Sequence, residues 1–347
     1  MMTRLDDPHD LYDGRQELYA GYAMLDLPFS FLGEDFRLVG GVRLENSEQL
    51  VNTISPESTN EPFTARVKNV DYLPSLNFTY LVNAKTNIRL AYSQSVNRPE
   101  FRELSSFYFY DYAILEGNYG NPLLRRALVR NYDVRLESFP ESGEVLALSF
   151  FYKSITDAIE QKLLVSSNPE RTWFNSPSGK NYGWELELRK SLAFLGEYFS
   201  NFHVTGNYTR IFSSIDYFET YTVYDQNGVP RAAIRNSNRE MQGQSPYMVN
   251  FSLLFREPNS GTTVNVLFNA FGRKLDAVGD VREEDIMEDA RGVLDLTLTQ
   301  TLFTGIDAKF SVRDIQGKAR TFTTRGGSPY RSTSSGTTYG LQVSVSL

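Results

Sequence analysis

Five aromatic rings crowd one short stretch: Phe107, Tyr108, Phe109, Tyr110 and Tyr112, broken only by Asp111. Rings at this density offer flat faces that stack on a sugar or a planar aromatic ligand. They also pack a loop onto the body beneath it, and composition alone does not separate the two uses. A second set of charged side chains, Arg135, Glu137, Glu185, Glu187 and Arg189, alternates with apolar residues in two segments. Charges at every second position demand a wet face. No reaction centre appears elsewhere. His9 and His203 are far apart and the chain has no cysteine, so no His/Cys metal site assembles. There is no phosphate-cradling glycine loop, dinucleotide fingerprint or nucleophile elbow. The 42 acidic residues offer many imaginable carboxylate pairs, with no feature to single one out. The sequence therefore assigns no catalytic residue, no metal and no cofactor, and it does not read as an enzyme.

The elements that must position these residues are strands. Period-two alternation runs in segments of roughly ten residues. Tyr132, Val134 and Leu136 oppose Asn131, Asp133, Arg135 and Glu137; Trp184, Leu186 and Leu188 oppose Glu185, Glu187 and Arg189. Thirteen such segments are expected, at 16–28, 35–46, 69–83, 86–97, 129–139, 143–157, 179–191, 200–212, 245–256, 262–273, 292–302, 305–315 and 337–347. No helical stripe of useful length competes with them. Short links alternate with long ones, the long ones falling near 47–68, 98–128, 158–178, 213–244, 274–291 and 316–336. A soluble sandwich has no reason to gather every long loop at one end, whereas an outer-membrane barrel has short periplasmic turns and long outer loops.

Composition agrees. Tyr 21, Phe 24 and Trp 2 make 14% of the chain, and barrels carry aromatic girdles at both membrane interfaces. No run of about 18 apolar residues exists, which excludes a membrane-spanning helix but not a barrel. A net charge of -7 gives no basic patch for a nucleic-acid partner. The start, Met1–Gly14, lacks the apolar core of a signal peptide. With the last strand ending at the periplasm, counting back places the first strand's start outside. Residues 1–14 are then expected to be the remnant of an outer loop, in a chain truncated at its N-terminus.

Several stretches resemble the barrel of TonB-dependent receptors: Tyr12–Leu27, Tyr72–Tyr80, Tyr92–Leu104 with its NRPEF, Gly120–Leu124 (GNPLL), Asn131–Lys153, Ser245–Leu254 and Leu294–Leu302. The resemblance covers nearly the whole chain. Two departures are Leu123–Arg126 after the GNP, where the family has Leu-Lys-Pro-Glu or similar, and Leu347, where the family ends on an aromatic residue. The resemblance implies an all-β, antiparallel, up-and-down transmembrane β-barrel that is incomplete, with thirteen strands of twenty-two and with residues 1–347 forming its C-terminal portion. It also implies a bacterial outer-membrane receptor with a periplasmic C-terminus. Its partners would be the lipid, the barrel-assembly machinery, a plug domain absent here and, through the plug, the TonB complex. Complete relatives would import a scarce ligand: siderophore, haem, cobalamin or oligosaccharide. Phe107, Tyr108, Phe109, Tyr110 and Tyr112 are then ligand-contact candidates, and Arg135, Glu137, Glu185, Glu187 and Arg189 face the lumen and plug. The alternatives are a passive porin-like or structural barrel and, further off, a secreted carbohydrate-binding β-sandwich. The alternation also predicts that arginine is rejected at outward Val134 and tolerated at inward Glu137.

Overall fold

The computed structural model describes residues 12–54, 62–112, 114–164, 170–224, 230–279, 284–334 and 336–345. The first strands are β1 (Tyr12–Phe31), β2 (Glu34–Ile54), β3 (Pro62–Asn83) and β4 (Thr86–Asn97). A single-turn helix α1 (Phe101–Leu104) and the short β5 (Tyr108–Asp111) and β6 (Glu116–Tyr119) follow. Next come β7 (Ala127–Ser138), β8 (Val145–Leu164), β9 (Glu170–Ser191), β10 (Phe202–Tyr224) and β11 (Pro230–Arg239). The chain continues through β12 (Tyr247–Glu257), β13 (Thr262–Phe271), β14 (Lys274–Ala277), β15 (Ile286–Glu288), β16 (Arg291–Phe303) and β17 (Ile306–Arg313). It closes with β18 (Arg320–Thr324), β19 (Pro329–Thr333) and β20 (Thr338–Val345).

The main sheet runs β1-β2-β3-β4-β7-β8-β9-β10-β12-β13-β16-β17-β20, with thirteen strands each antiparallel to its sequence neighbour in that path. These are the thirteen segments that alternation marks out. Among the described residues β1 and β20 are each paired on one side only, so the sheet is an incomplete barrel. Residues 1–11 and 346–347, which carry His9 and most of the expected loop remnant at one end and Leu347 at the other, lie outside the described residues, while Tyr12–Gly14 already belong to β1. Tight turns join the strands at one end. Leu32 (φ 53°) and Gly33 (φ 84°) make the β1–β2 link, both left-handed, as the right-handed twist of a two-residue hairpin requires.

The long connections carry more structure than bare loops. Several strands overshoot the expected bounds, β9 and β10 reaching 22 and 23 residues. A membrane-crossing strand needs about ten, so hairpins such as β8–β9 are about twice as long as such a crossing requires. β14, β15, β18 and β19 form a separate four-stranded sheet, assembled from two connections distant in sequence. Alternation does not reveal such strands because each is three to five residues long, too short to display a period.

Burial is inverted relative to a soluble protein. The apolar core sits in the loop region, around Val51, Ala65, Leu104, Leu124 and Trp173 and around Leu163, Ala277, Ile286 and Phe322. Mid-strand apolar side chains are exposed instead, including Tyr19, Leu25, Tyr72, Val134, Leu136, Phe150, Leu186 and Leu188. An apolar face this extensive requires a partner, and among the described residues no second sheet covers it, so the sandwich reading fails. Aromatic rows border this face. Tyr92, Tyr132, Tyr152, Tyr182 and Phe212 fall in one register row on five neighbouring strands. Near the short turns stand Phe29, Phe36, Phe78 and Tyr80, and further along the sheet Phe202 and Phe255. Phe202 and Phe212 are ten residues apart on β10, roughly 33 Å of strand. At a tilt of about 40° that projects to roughly 25 Å, the height of an outer-membrane barrel's apolar band.

Candidate ligand-binding site

The connection between β4 and β7 folds over the polar face and is tied at both roots. Pro99 cannot donate to a ladder, so β4 stops before it. The preceding Arg98 turns inward, its Nε donating to Ser47 Oγ at 3.0 Å and its Nη2 to Glu45 at 2.7 Å and Asp71 at 3.1 Å. At the other root Arg126 Nε approaches the second oxygen of the same Asp71 at 2.6 Å. Gln49 Nε2 donates to the Pro99 carbonyl at 2.9 Å. The Asp71 side chain is 1% exposed, and a buried carboxylate of this kind is stable only while its cations remain. Arg98 and Pro99 thus end the strand and anchor the loop.

Within the loop, α1 opens with a capping box in which Glu100 and Glu103 each bond the other's backbone N–H. Burial raises the Glu103 carboxyl above its ordinary value, against the Glu100 backbone N–H, which lowers it. The Gly-Asn-Pro that follows has a steric cause. A Cβ on Gly120 would sit 1.9 Å from the Ser105 carbonyl oxygen, so only glycine permits the chain to pass the end of α1. Asn121 then bridges outward, its Nδ2 donating to the Trp173 carbonyl at 2.9 Å while its Oδ1 accepts from the Leu123 N–H at 2.9 Å.

This frame sorts the five aromatic candidates. Phe107 is buried, stacked on Tyr12 at 5.6 Å and beside Phe109 at 5.8 Å. Phe109 stacks on Trp173 at 6.0 Å, with the Arg102 guanidinium 4.7 Å from its ring centre. Tyr108 lies against Tyr119 at 5.0 Å and fills the space left by Gly117. Tyr110 and Tyr112 stand in edge-to-face contact at 5.0 Å and are 38% and 82% exposed. Three rings therefore pack the loop, and two present a face to solvent.

The hairpin β5–β6 is held from the other side by residues with no local signature. Glu116, 2% exposed, accepts from both Nε and Nη2 of Arg171, from Tyr330 Oη at 3.1 Å and from Arg331 Nη1 at 3.0 Å. Arg171 Nη2 also reaches Asp276 at 2.9 Å. Burial, with Glu116 adding to it, pushes the Tyr330 hydroxyl up to about 12. Three elements distant in sequence, β6, β9 and β19, meet on this carboxylate, so no spacing rule reveals it.

The strand charges form their own network on the polar face. Arg135 donates to Glu137 at 2.9 Å, to Ser149 Oγ at 3.0 Å and to Glu187 at 2.7 Å. Arg89 adds a second cation to Glu137 at 2.7 Å, and Glu185 accepts from Asn207 Nδ2 at 3.2 Å. Arg189 remains exposed. Glu137, Ala147, Glu187, Asn207, Asn250 and Asn269 share one register row. Among the described residues no cluster of three His, Cys, Asp or Glu side chains is arranged to hold a metal.

A model of the TonB dependent receptor-like β-barrel family matches residues 4–315. The chain belongs to that family. Its TonB-dependent receptor barrel also superposes on solved structures. The ferric-catecholate import receptor Fiu from E. coli K12 has TM-score 0.66 at 14% identity, covering 96% of this chain and 45% of that one. The siderophore receptor PiuA from Acinetobacter baumannii has TM-score 0.65 at 13% identity, over 96% and 44%. The FrpB iron transporter from Neisseria meningitidis has TM-score 0.59 at 13% identity, over 95% and 45%. At such identities these likenesses speak to fold, and the chain spans less than half the length of each. No curated relative matches the sequence. TonB-dependent receptor barrels are outer-membrane receptors and transporters rather than a class of enzymes.

Proposed function

We propose that this chain is the C-terminal portion of an outer-membrane receptor barrel that, with its plug and the TonB complex, imports an iron–siderophore complex. Its C-terminus faces the periplasm, and Arg135, Glu137, Glu185, Glu187 and Arg189 line the lumen where a plug contacts the wall. The reading is carried by one observation: the β4–β7 connection holds Tyr110 and Tyr112 outward while Phe107, Phe109 and Tyr108 fix the loop beneath them. Two exposed tyrosines in edge-to-face contact offer both a ring face and a hydroxyl, which suits an aromatic chelate better than a purely apolar ligand. The structural neighbours whose names state a ferric-catecholate or siderophore ligand favour that class over haem, cobalamin or oligosaccharide.

The experiment uses a complete receptor carrying this barrel and compares uptake of iron supplied as a catecholate chelate, haem, cobalamin or an oligosaccharide label. Each lost ring contact is expected to cost about 0.5–1.5 kcal/mol. The pair Tyr110→Ala and Tyr112→Ala should therefore weaken chelate binding by roughly five- to a hundredfold while the barrel still assembles. Unchanged binding in the double variant, or import of another class alone, would defeat the proposal.

A further inference from the structure

Immediately beyond the tyrosine row, one outward position further toward the long loops, the register aligns Gln94, Arg130, Ser154, Lys180 and Ser214 on the same five strands. This second row lies roughly 6.6 Å along the strands from the rings. Lys180 is exposed and Arg130 half-buried, and neither has an ion pair or hydrogen bond among the described residues. One strand, β8, lies between them, so they stand two strand spacings or roughly 10 Å apart. From below, the Arg210 guanidinium reaches up over the Phe212 ring at 4.9 Å, placing a third cation at the girdle. One acid beyond this row, Asp216, stands one row higher and accepts from Ser178. The first three strands differ. There Arg66 and Lys68 pair with Glu48 at 2.6 and 3.8 Å, and Arg15 pairs with Glu17.

We propose that Arg130 and Lys180 form a binding site for phosphorylated lipid headgroups of the leaflet bordering the long loops. The inference rests on the membrane-spanning reading above but not on the nature of the imported ligand. Cations without anions, set just outside a lipid-facing aromatic belt, lie at headgroup height, where negative charge is supplied by phosphate. Lipid phosphate is favoured over free phosphate by the shape of the site. Two side chains roughly 10 Å apart on an open strand face, with no cradle of backbone N–H groups, match a lattice of headgroups better than one small ion.

The test inserts the full chain into three vesicle preparations: phosphatidylcholine with bisphosphorylated lipid A, phosphatidylcholine with the dephosphorylated glycolipid, and phosphatidylcholine alone with inorganic phosphate added. The readout is glycolipid retained through mild detergent extraction, with heat-modifiable gel mobility reporting folding. The wild-type chain should retain the bisphosphorylated form selectively. Arg130→Gln with Lys180→Gln should lower that retention by about thirtyfold, at roughly fivefold per cation near an anionic surface. Arg15→Gln should leave it unchanged, because that charge is matched by Glu17. Wild-type retention in the double variant, equal retention of the dephosphorylated glycolipid, or displacement of the lipid by inorganic phosphate would each overturn the site. A chain that folds into every vesicle without phosphate preference sinks this inference alone; one that enters none sinks the membrane reading with it.

Discussion

Leu136 and Val134 lie on the same apolar face, two and one outward positions below the Tyr132 ring, and both are nearly half exposed. Val134 shares a register row with Arg210, through Phe150 and Trp184. Arg210 survives on this face because its guanidinium reaches the Phe212 ring and donates to the Pro246 carbonyl at 3.2 Å. An arginine at 134 has a similar route upward; one at 136 is a full step deeper. Arginine at a barrel's midplane costs roughly 2–4 kcal/mol, falling to about 0–1 near the interface. Leu136→Arg should therefore deplete folded barrel in membrane fractions more than Val134→Arg. Glu137 departs from the simple inside–outside rule. Its side chain is 5% exposed between Arg89 and Arg135, so Glu137→Arg would bury one guanidinium against two others with no carboxylate between them and is expected to fail for that reason. The control on the polar face is Asn250→Arg, at an exposed position, which should assemble normally. Equal assembly of Leu136→Arg and Asn250→Arg, read from heat-modifiable mobility, would mean the two faces are misassigned.

Among the elements, the small sheet β14-β15-β18-β19 depends most on charge. Glu288, almost wholly buried, accepts from Arg320 through both its oxygens, and Lys274 lies 3.2 Å away. Burial alone would raise its carboxyl, but these two cations hold it below the ordinary value. A depressed folded value means the carboxylate stabilises the sheet fully above the unfolded value of about 4.3, and that contribution is lost as pH falls through the folded value. Amide exchange in β15 and β18, corrected for intrinsic rates, should accelerate on acidification through that window while β12 and β13 stay protected. Glu288→Gln should expose the same amides at neutral pH and flatten the response. Acid exchange unchanged in β15 and β18 would show that packing around Leu163, Ala277, Ile286 and Phe322 holds the sheet without the ion pairs.

For the whole molecule, two features act together: a broad uncovered apolar face and two strands paired on one side only. Both are satisfied by association, the first by lipid or detergent and the second by any chain that offers a strand. In plain buffer the chain should therefore aggregate, and a non-ionic detergent should recover strand-rich particles by circular dichroism and gel filtration. A monodisperse monomer without detergent would contradict the membrane-spanning fold.

Alternation by itself determined the thirteen strands, their order and the two faces, because in a meander each strand pairs with its neighbour and side chains change face at every residue. The NRPEF and GNP stretches marked the β4–β7 connection, but not why those residues stand there. Gly120 is required by a backbone contact with Ser105, and Arg98 by a carboxylate on β3. Only the tertiary structure divided the aromatic cluster into anchors and exposed rings, since Phe107 and Phe109 owe their burial to Tyr12 and Trp173, both remote in sequence. The same holds for Glu116, whose cations and hydroxyl come from β9 and β19. Local pattern reports what a residue's own strand needs; burial of a charge is decided by partners that no periodicity brings into view.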